Sequence, residues 1–182
     1  MEKTDEMLIS EIREGHLEAY DQLMQHHQNQ VFHIAYGYTK NEDQAMDVTQ
    51  NVFLKAYENL QKFQGRSRFK TWLLRIAYNE SNNWMKKNQL DITSHDPDVF
   101  ASDSDQESNY LVQEHRTIML QSLFQLNTRY RLAVILRYFE NYSIREISEV
   151  LKCSEGVVKN MLFRSLQKLK TALQNVQREE IR

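Results

Sequence analysis

The sequence predicts an all-α fold of two small helical domains joined by a flexible acidic linker, with a helix-turn-helix in the second domain. The 182 residues include only 4 glycines and 1 proline, which leaves few residues that favour turns. Apolar side chains recur every three or four positions over most of the chain, as on one face of a helix. Residues 91–110 lose this period and contain the proline, so we expect the linker there.

Charge is distributed unevenly along the chain. The formal net charge is −2. Residues 1–90 carry 11 basic and 12 acidic side chains, residues 91–115 carry 7 acidic and no basic ones, and residues 116–182 carry 12 basic and 6 acidic ones. We therefore expect domains at 1–90 and 111–182 and a polyanionic partner for the last third of the chain.

Several classes of protein are disfavoured by composition. Cys153 is the single cysteine, so an intramolecular disulfide is excluded and no metal-ligand spacing arises. No apolar run approaches the roughly 18 residues of a membrane span, and the polar start of the chain lacks a signal-peptide pattern. His26 and His27 should diverge by about 100° on a helix, which argues against a shared metal ion. A cytoplasmic protein without cofactor is expected.

Four helices are expected in the first domain. They comprise a short helix over 7–14, a long one over 20–38, a third that Asn41 is placed to cap, and a fourth after a break at 64–67. The positions expected to be buried on the third helix are Ala45, Val48, Val52, Phe53, Ala56, Tyr57 and Leu60. Those expected to be buried on the fourth are Phe69, Trp72, Leu73, Ile76, Ala77 and Trp84.

The fourth helix also carries a polar face with aromatic residues nearby. The polar and basic residues of this region include Lys62, Arg66, Arg68, Lys70, Arg75, Asn79, Asn82, Asn83, Lys86 and Lys87, and the aromatic ones Phe63, Phe69, Trp72, Tyr78 and Trp84. Cations beside rings suit single-stranded nucleic acid, because a base that leaves the duplex can stack on a ring. The alternative is an aromatic core with a solvated rim, and a core position is favoured for Phe69 and Trp72.

The second domain is expected to begin with helices over 111–126 and 128–140. Ser143 and Glu146 then have the spacing of a capping box. A short turn at 152–154 leads to a last long helix, as in a helix-turn-helix whose second helix enters the major groove of DNA. The positions expected to face inward on that last helix are Val157, Val158, Met161, Leu162, Ser165 and Leu169.

The opposite face of the last helix is basic, and no acidic residue occurs from 156 to 178. This face comprises Lys159, Asn160, Phe163, Arg164, Gln167 and Lys170. Lysine and arginine reach phosphates or guanine, asparagine can pair with adenine, and phenylalanine can contact a thymine methyl group. We therefore predict a DNA-binding face. The alternative is a solvated basic face with Phe163 covered by a neighbouring helix.

Two stretches of the chain resemble bacterial RNA polymerase sigma factors of the extracytoplasmic-function (ECF) group. Residues 47–56 (DVTQNVFLKA), 63–65 (FQG) and 68–79 (RFKTWLLRIAYN) resemble the first conserved domain of that group. Residues 142–151 (YSIREISEVL) and the helix after them resemble its promoter-binding helix-turn-helix. The resemblance covers nearly the whole chain in the expected order.

The resemblance implies an alternative sigma factor that binds core RNA polymerase, directs it to specific promoters and assists promoter opening, without being an enzyme. The residues implied to bind the clamp helices of the largest polymerase subunit are Asp47, Gln50 and Phe53. Those implied to open the minus-ten element and hold an everted base are Phe63, Arg68, Trp72, Arg75 and Asn79. Those implied to read the minus-thirty-five element are Lys159, Asn160, Phe163 and Arg164.

The resemblance also implies partners. These are core RNA polymerase, including the flap of its second largest subunit, promoter DNA, and an anti-sigma protein of a kind that is often membrane-bound; no small-molecule substrate is implied. A competing hypothesis is a free-standing helix-turn-helix regulator. Such a regulator would bind palindromic half-sites as a dimer, and its first domain would need an effector pocket.

Overall fold

The structure, a computed structural model, describes residues 3–88 and 110–179, and for 110–116 and 175–179 it describes the backbone alone. Every regular element in these ranges is helical, and the chain divides into two compact units. The predicted all-α fold with two small helical domains is therefore confirmed. The predicted linker over 91–110 lies outside the described residues, except for Tyr110, which begins a helix.

The first unit contains four α-helices, which are α1 (Asp5–Arg13), α2 (Glu18–Thr39), α3 (Glu42–Asn59) and α4 (Phe69–Lys87). A single 3-10 turn, Leu60–Lys62, follows α3. The long helix α2 packs against both α1 and α4. The largest core side chains of this unit are Leu8, Leu23, Ile34, Tyr36, Tyr38, Leu60, Leu73 and Leu74.

Asp5 joins α1 to α2 through the two adjacent histidines. Its Oδ2 atom lies 2.8 Å from His27 Nε2, and its Oδ1 atom lies 3.5 Å from His26 Nδ1. Although the sequence predicts that adjacent side chains diverge on a helix, the two rings lie 6.3 Å apart between centroids and reach the same carboxylate, because it offers two oxygens. Burial favours the neutral form of Asp5, but the hydrogen bonds and charges of His27 and then His26 outweigh it and lower its pKa.

Most of the predicted core positions on α3 and α4 are buried, with exceptions at the margin of the unit. Tyr57 is 44% exposed, so its predicted burial is wrong. Its ring packs edge-on against Tyr20 at 5.0 Å rather than entering the core. Trp72, Ile76 and Trp84 are half-buried, because they lie where the apolar face of α4 meets its polar face.

The second unit contains α5 (Tyr110–Gln125), α6 (Thr128–Val134), α7 (Ile144–Leu151) and α8 (Glu155–Glu179). The helix α8 packs against the other three. The predicted helix over 128–140 changes character within this range, since Ile135–Phe139 is π-helical and the Glu140 amide donates to the Ile135 carbonyl at 3.1 Å. None of the helices in the described ranges has both the length and the apolar character that crossing a membrane requires.

The predicted helix-turn-helix is present in α7, the following turn and α8. Ser143 Oγ accepts from the Glu146 amide at 3.2 Å, and the Ser143 amide donates to the Glu146 carboxylate at 3.0 Å, which completes the capping box. Lys152 ends α7 in the left-handed region, with φ of 52°, and α8 starts three residues later. Val157 is 43% exposed, so its predicted inward position is wrong.

Arg131 is a buried cation that closes the C-terminal end of α5. It is 3% exposed, and its guanidinium donates to the carbonyls of Leu123, Phe124 and Leu126 at 3.2, 2.8 and 2.9 Å. They lie in the last turn of α5 and just beyond it, where the helical hydrogen-bond pattern ends. Burial lowers the pKa of Arg131 to about 10, so the side chain stays charged at neutral pH.

We predict that Arg131→Met destabilises the second unit by roughly 2 to 4 kcal/mol, because it removes three hydrogen bonds from a buried guanidinium to backbone carbonyls. Both tryptophans, Trp72 and Trp84, belong to the first unit, so circular dichroism should report the loss while tryptophan fluorescence should not. The control is Arg145→Met, which removes an 80% exposed side chain paired with Glu149. An equal melting temperature for the two variants would contradict the role assigned to Arg131.

Candidate nucleic-acid and protein-binding surfaces

Three aromatic side chains meet at the start of α4. Phe63 lies 5.1 Å from Trp72 and 5.7 Å from Phe69 between ring centroids, and Phe69 lies 5.5 Å from Trp72. Phe69 is 4% exposed and also contacts the His27 ring at 5.5 Å, so its predicted core position is confirmed. Phe63 and Trp72 remain half-buried. Two partly exposed rings therefore rest on a third that is fixed in the core.

The chain turns sharply just before this aromatic cluster. Phe63 leaves the 3-10 turn with extended backbone angles, φ −69° and ψ 112°. Gly65 then takes a φ of +68°, a left-handed conformation that glycine adopts without a steric penalty. This geometry reverses the chain and sets Phe63 over the first turn of α4.

A cleft of about 290 Å³ lies beside Trp72, between α3 and α4. It is lined by Lys55, Asn59, Lys62, Trp72, Ile76, Asn79 and Glu80. The lining combines an aromatic ring, an aliphatic side chain, two amides and two lysines. These are the groups that stack bases, bond base edges and attract phosphates in proteins that bind single strands.

One carboxylate offsets part of the positive charge in the cleft. Glu80 Oε2 lies 2.5 Å from Lys55 Nζ, which joins α4 to α3. The Glu80 side chain is 17% exposed whereas that of Lys55 is 49% exposed, so the pair lies at the edge of the cleft with the acid on the inner side. Asn83 also donates to Glu80, at 3.5 Å. Glu80 thus competes with any phosphate for Lys55.

The five residues predicted for the minus-ten element occupy different places around this cleft. Trp72 and Asn79 line it, and Phe63 contacts Trp72. Arg68 is exposed at the N-cap position of α4, and Arg75 is half-buried outside the lining.

The predicted set of minus-ten residues omitted five others that line the cleft, which are Lys55, Asn59, Lys62, Ile76 and Glu80. Lys55 and Asn59 belong to α3 and meet α4 only through packing. Their separation in sequence from Asn79 and Glu80 carries no periodic signal that could have linked them.

The four residues predicted to read DNA on α8 all lie at the surface. Lys159, Asn160 and Arg164 are exposed, and Phe163 is 64% exposed. The alternative in which a neighbouring helix covers Phe163 is therefore wrong. The buried residues Val158, Met161, Leu162, Ser165 and Leu169 hold the opposite face against the rest of the unit. A basic face with one exposed ring is thus presented to the exterior of this unit.

The predicted protein-binding residues of α3 are only partly on one surface. Asp47 and Gln50 are exposed, and Met46 and Leu54 beside them are 52% and 63% exposed. Phe53 is 8% exposed, so its side chain belongs to the core and its assignment to the contact surface is corrected. The exposed face of α3 instead combines polar groups with two large apolar side chains.

Two protein families match the two units separately, and individual relatives match nearly the whole chain. The family described as Sigma-70 region 2 matches residues 23–90, and that described as Sigma-70, region 4 matches residues 116–169. The chain is 31% identical to the RNA polymerase sigma-H factor of Pseudomonas aeruginosa over an alignment of 189 positions, which covers 98% of each protein. It is 29% identical to the ECF RNA polymerase sigma-E factor of Haemophilus influenzae, over 94% of this chain and 96% of that protein.

A solved structure supports the fold. The sigma factor RpoE from Bartonella quintana, crystallised with the anti-sigma factor NepR, matches with a TM-score of 0.68 and 22% identity. The match covers 85% of this chain and 96% of that one.

Two helical units that match sigma-70 regions 2 and 4, in that order, define a sigma factor. The chain belongs to the ECF group of RNA polymerase sigma factors. It is an alternative sigma factor that directs RNA polymerase in transcription initiation, and it is not an enzyme, because sigma factors are initiation factors.

We predict that Glu80→Gln tightens binding of single-stranded DNA by the chain in complex with core polymerase, because Lys55 is released for a phosphate. An added phosphate contact should steepen the dependence of log affinity on log salt by about 0.7. The control is Glu58→Gln, an exposed acid on α3 outside the cleft lining. Fluorescence anisotropy of a labelled oligonucleotide measures both quantities. An affinity that is no higher than that of Glu58→Gln would refute the competition between Glu80 and phosphate.

Proposed function

We propose that this sigma factor binds core polymerase through the exposed face of α3, opens the minus-ten element at the cleft between α3 and α4, and reads the minus-thirty-five element with α8. The observation that carries the proposal is the position of two half-buried rings, Phe63 and Trp72, next to a cleft that contains amides and lysines.

Promoter opening follows from the chemistry of the cleft. A base that leaves the duplex loses stacking and pairing worth a few kcal/mol, and stacking on an aromatic side chain returns roughly 1 to 3 kcal/mol. Phe63 and Trp72 supply such rings, and Asn79 supplies an amide that can both donate to and accept from a base edge. Arg68 and Arg75 add positive charge for the strand backbone. Together these five residues form the proposed minus-ten site.

Recognition of the minus-thirty-five element is assigned to α8. This helix is the second one of the helix-turn-helix, which is the helix that enters the major groove in such folds. Lys159 and Arg164 can contact phosphate or guanine, Asn160 can bond adenine, and Phe163 can contact a thymine methyl group. The exposure of all four side chains supports this assignment.

Binding of core polymerase is assigned to Asp47 and Gln50, with the exposed apolar side chains of Met46 and Leu54 beside them. Apolar side chains ringed by polar ones are typical of the centre of a protein interface. The proposed partner of this face is the clamp helices of the largest subunit, and that of the second unit is the flap of the second largest subunit. The buried side chain of Phe53 anchors α3 in the core behind this face.

We further propose that the chain acts in the cytoplasm and that an anti-sigma factor holds it inactive. If the anti-sigma factor has a membrane anchor, the complex would lie at the membrane surface. The RpoE relative was solved with an anti-sigma factor bound. An inhibitor that covers Leu54 on α3 or Phe163 on α8 would bury apolar surface that is exposed in this chain.

We predict that Asp47→Arg weakens association with core polymerase by about tenfold or more, because it reverses a charge in the proposed interface. Circular dichroism should be unchanged, since Asp47 is exposed. The control is Glu6→Arg, the same reversal at an exposed position of α1. Competition for core polymerase against a labelled sigma factor measures the affinity. Normal association by Asp47→Arg would remove α3 from the interface.

A promoter for the DNA experiments can be mapped upstream of a transcript that appears when this chain is overproduced. On that mapped promoter, we predict that Lys159→Ala weakens holoenzyme binding and lowers the salt slope by about 1, as expected for one lost phosphate contact. Lys168→Ala is the control, since Lys168 is an exposed lysine of the same helix, half a turn around α8 from Lys159 and outside the four proposed reading residues. Gel-shift titrations at several salt concentrations measure the affinity of the holoenzyme and its salt slope. If the two variants behaved alike, the reading face would be misassigned.

A further inference from the structure

We propose that Arg13 is a positioning residue for promoter opening, because its guanidinium holds the segment that presents Phe63 to Trp72. This inference rests on the proposed role of Phe63 and Trp72 at the minus-ten element. It concerns a helix, α1, that precedes the residues matched by the Sigma-70 region 2 family.

The contact joins positions that are distant in sequence. Arg13 Nη2 donates to the carbonyl of Leu60 at 3.3 Å and also to the carbonyl of Phe63. Leu60 and Phe63 are the first residue of the 3-10 turn and the residue that ends it. One planar cation therefore bridges the two ends of the turn from the C-terminal end of α1.

The Phe63 carbonyl needs such a donor because the chain that follows it is irregular. The Phe63 amide donates to the Leu60 carbonyl at 3.1 Å, which fixes a single turn. Phe63 then adopts extended angles and Gly65 a left-handed one, so the helix hydrogen-bond pattern cannot continue. The terminal Nη2 group of a guanidinium carries two N–H donors and can therefore bond both carbonyls at once, which a shorter or apolar side chain cannot do here.

Arg13 acts from a fixed base. Leu8, Ile9 and Ile12 of α1 are buried, and Asp5 bonds His27 on α2 at 2.8 Å. The same His27 ring contacts Phe69, which in turn contacts Phe63 and Trp72. The helix α1 thus supports the aromatic cluster at two points, with Asp5 acting through His27 and Arg13 acting through the Phe63 backbone.

Arg13 could instead act only as an exposed positive charge that attracts DNA. Replacing Arg13 with lysine distinguishes the two roles. A lysine at position 13 keeps the charge, but its side chain ends one bond short of the Nη2 atom that makes both contacts, so it preserves long-range attraction and loses the bridge between two carbonyls.

The test compares Arg13→Met and Arg13→Lys in holoenzyme on the mapped promoter, with 2-aminopurine in the minus-ten element reporting opening. We expect both variants to slow opening by about tenfold, because each loses charge-assisted hydrogen bonds to the segment. Opening-dependent initiation should return close to the wild-type level on a promoter whose minus-ten element is already mismatched. Full activity of Arg13→Lys on the duplex promoter would overturn the positioning role in favour of simple charge.

A spectroscopic readout follows the rings themselves. The chain contains 2 tryptophans, so Trp84→Phe leaves Trp72 as the reporter. In that background, Arg13→Met should shift the Trp72 emission while circular dichroism stays unchanged, since Phe63 moves away from Trp72. An unchanged Trp72 spectrum would also overturn the proposal. The matched control is Lys3→Ala. It removes the 2.7 Å ion pair between Lys3, which precedes α1, and Glu11 of α1, and it should leave opening unchanged.

Phe63→Ala separates failure of this inference from failure of the proposed function. If Phe63→Ala opens the promoter normally, the minus-ten site itself is misassigned. If Phe63→Ala is slow while Arg13→Met is normal, the site stands and Arg13 has no part in positioning it. Slow opening by both variants is the result that we expect.

Discussion

The contact among Phe63, Phe69 and Trp72 is the constraint on which the first unit depends. Phe69 is anchored in the core against His27, and the two partly exposed rings rest on it. The helix α4 must therefore satisfy two environments, with Leu73 and Ala77 in the core and Trp72 and Asn79 at the cleft. A surface built in this way can offer stacking to a base without exposing a loose aromatic patch, because each ring is already held by its neighbours.

In the second unit, hydrogen bonds to backbone groups at the helix ends fix the helices that carry the proposed DNA-reading face. Arg131 donates to three carbonyls at the end of α5, and the Ser143 and Glu146 capping box fixes the start of α7. The Arg129 side chain also donates to the Leu151 carbonyl at the end of α7, at 2.8 Å. None of these bonds involves Lys159 or Phe163, so the reading face can vary in sequence without loss of these bonds.

The features that could be predicted from the sequence are those that local patterns of residues encode. Apolar periodicity located the helices, and a four-residue motif located the helix-turn-helix. Errors in predicted burial arose at helix edges, where Tyr57 and Val157 are exposed, because a shift of one position on a helix turns a side chain by about 100°. The pairing of Lys55 with Glu80 and the bonds from Arg13 to backbone carbonyls depend on tertiary packing and have no sequence pattern.

The most direct test of this account is run-off transcription from the mapped promoter by core polymerase with and without the purified chain. The account predicts a specific transcript only when both are present, and weak binding of promoter duplex by the chain alone, since each DNA-reading surface is small. Tight, dimeric binding of a palindromic site by the chain alone, with no transcript on addition of core polymerase, would contradict the claim that this molecule lends promoter recognition to the polymerase.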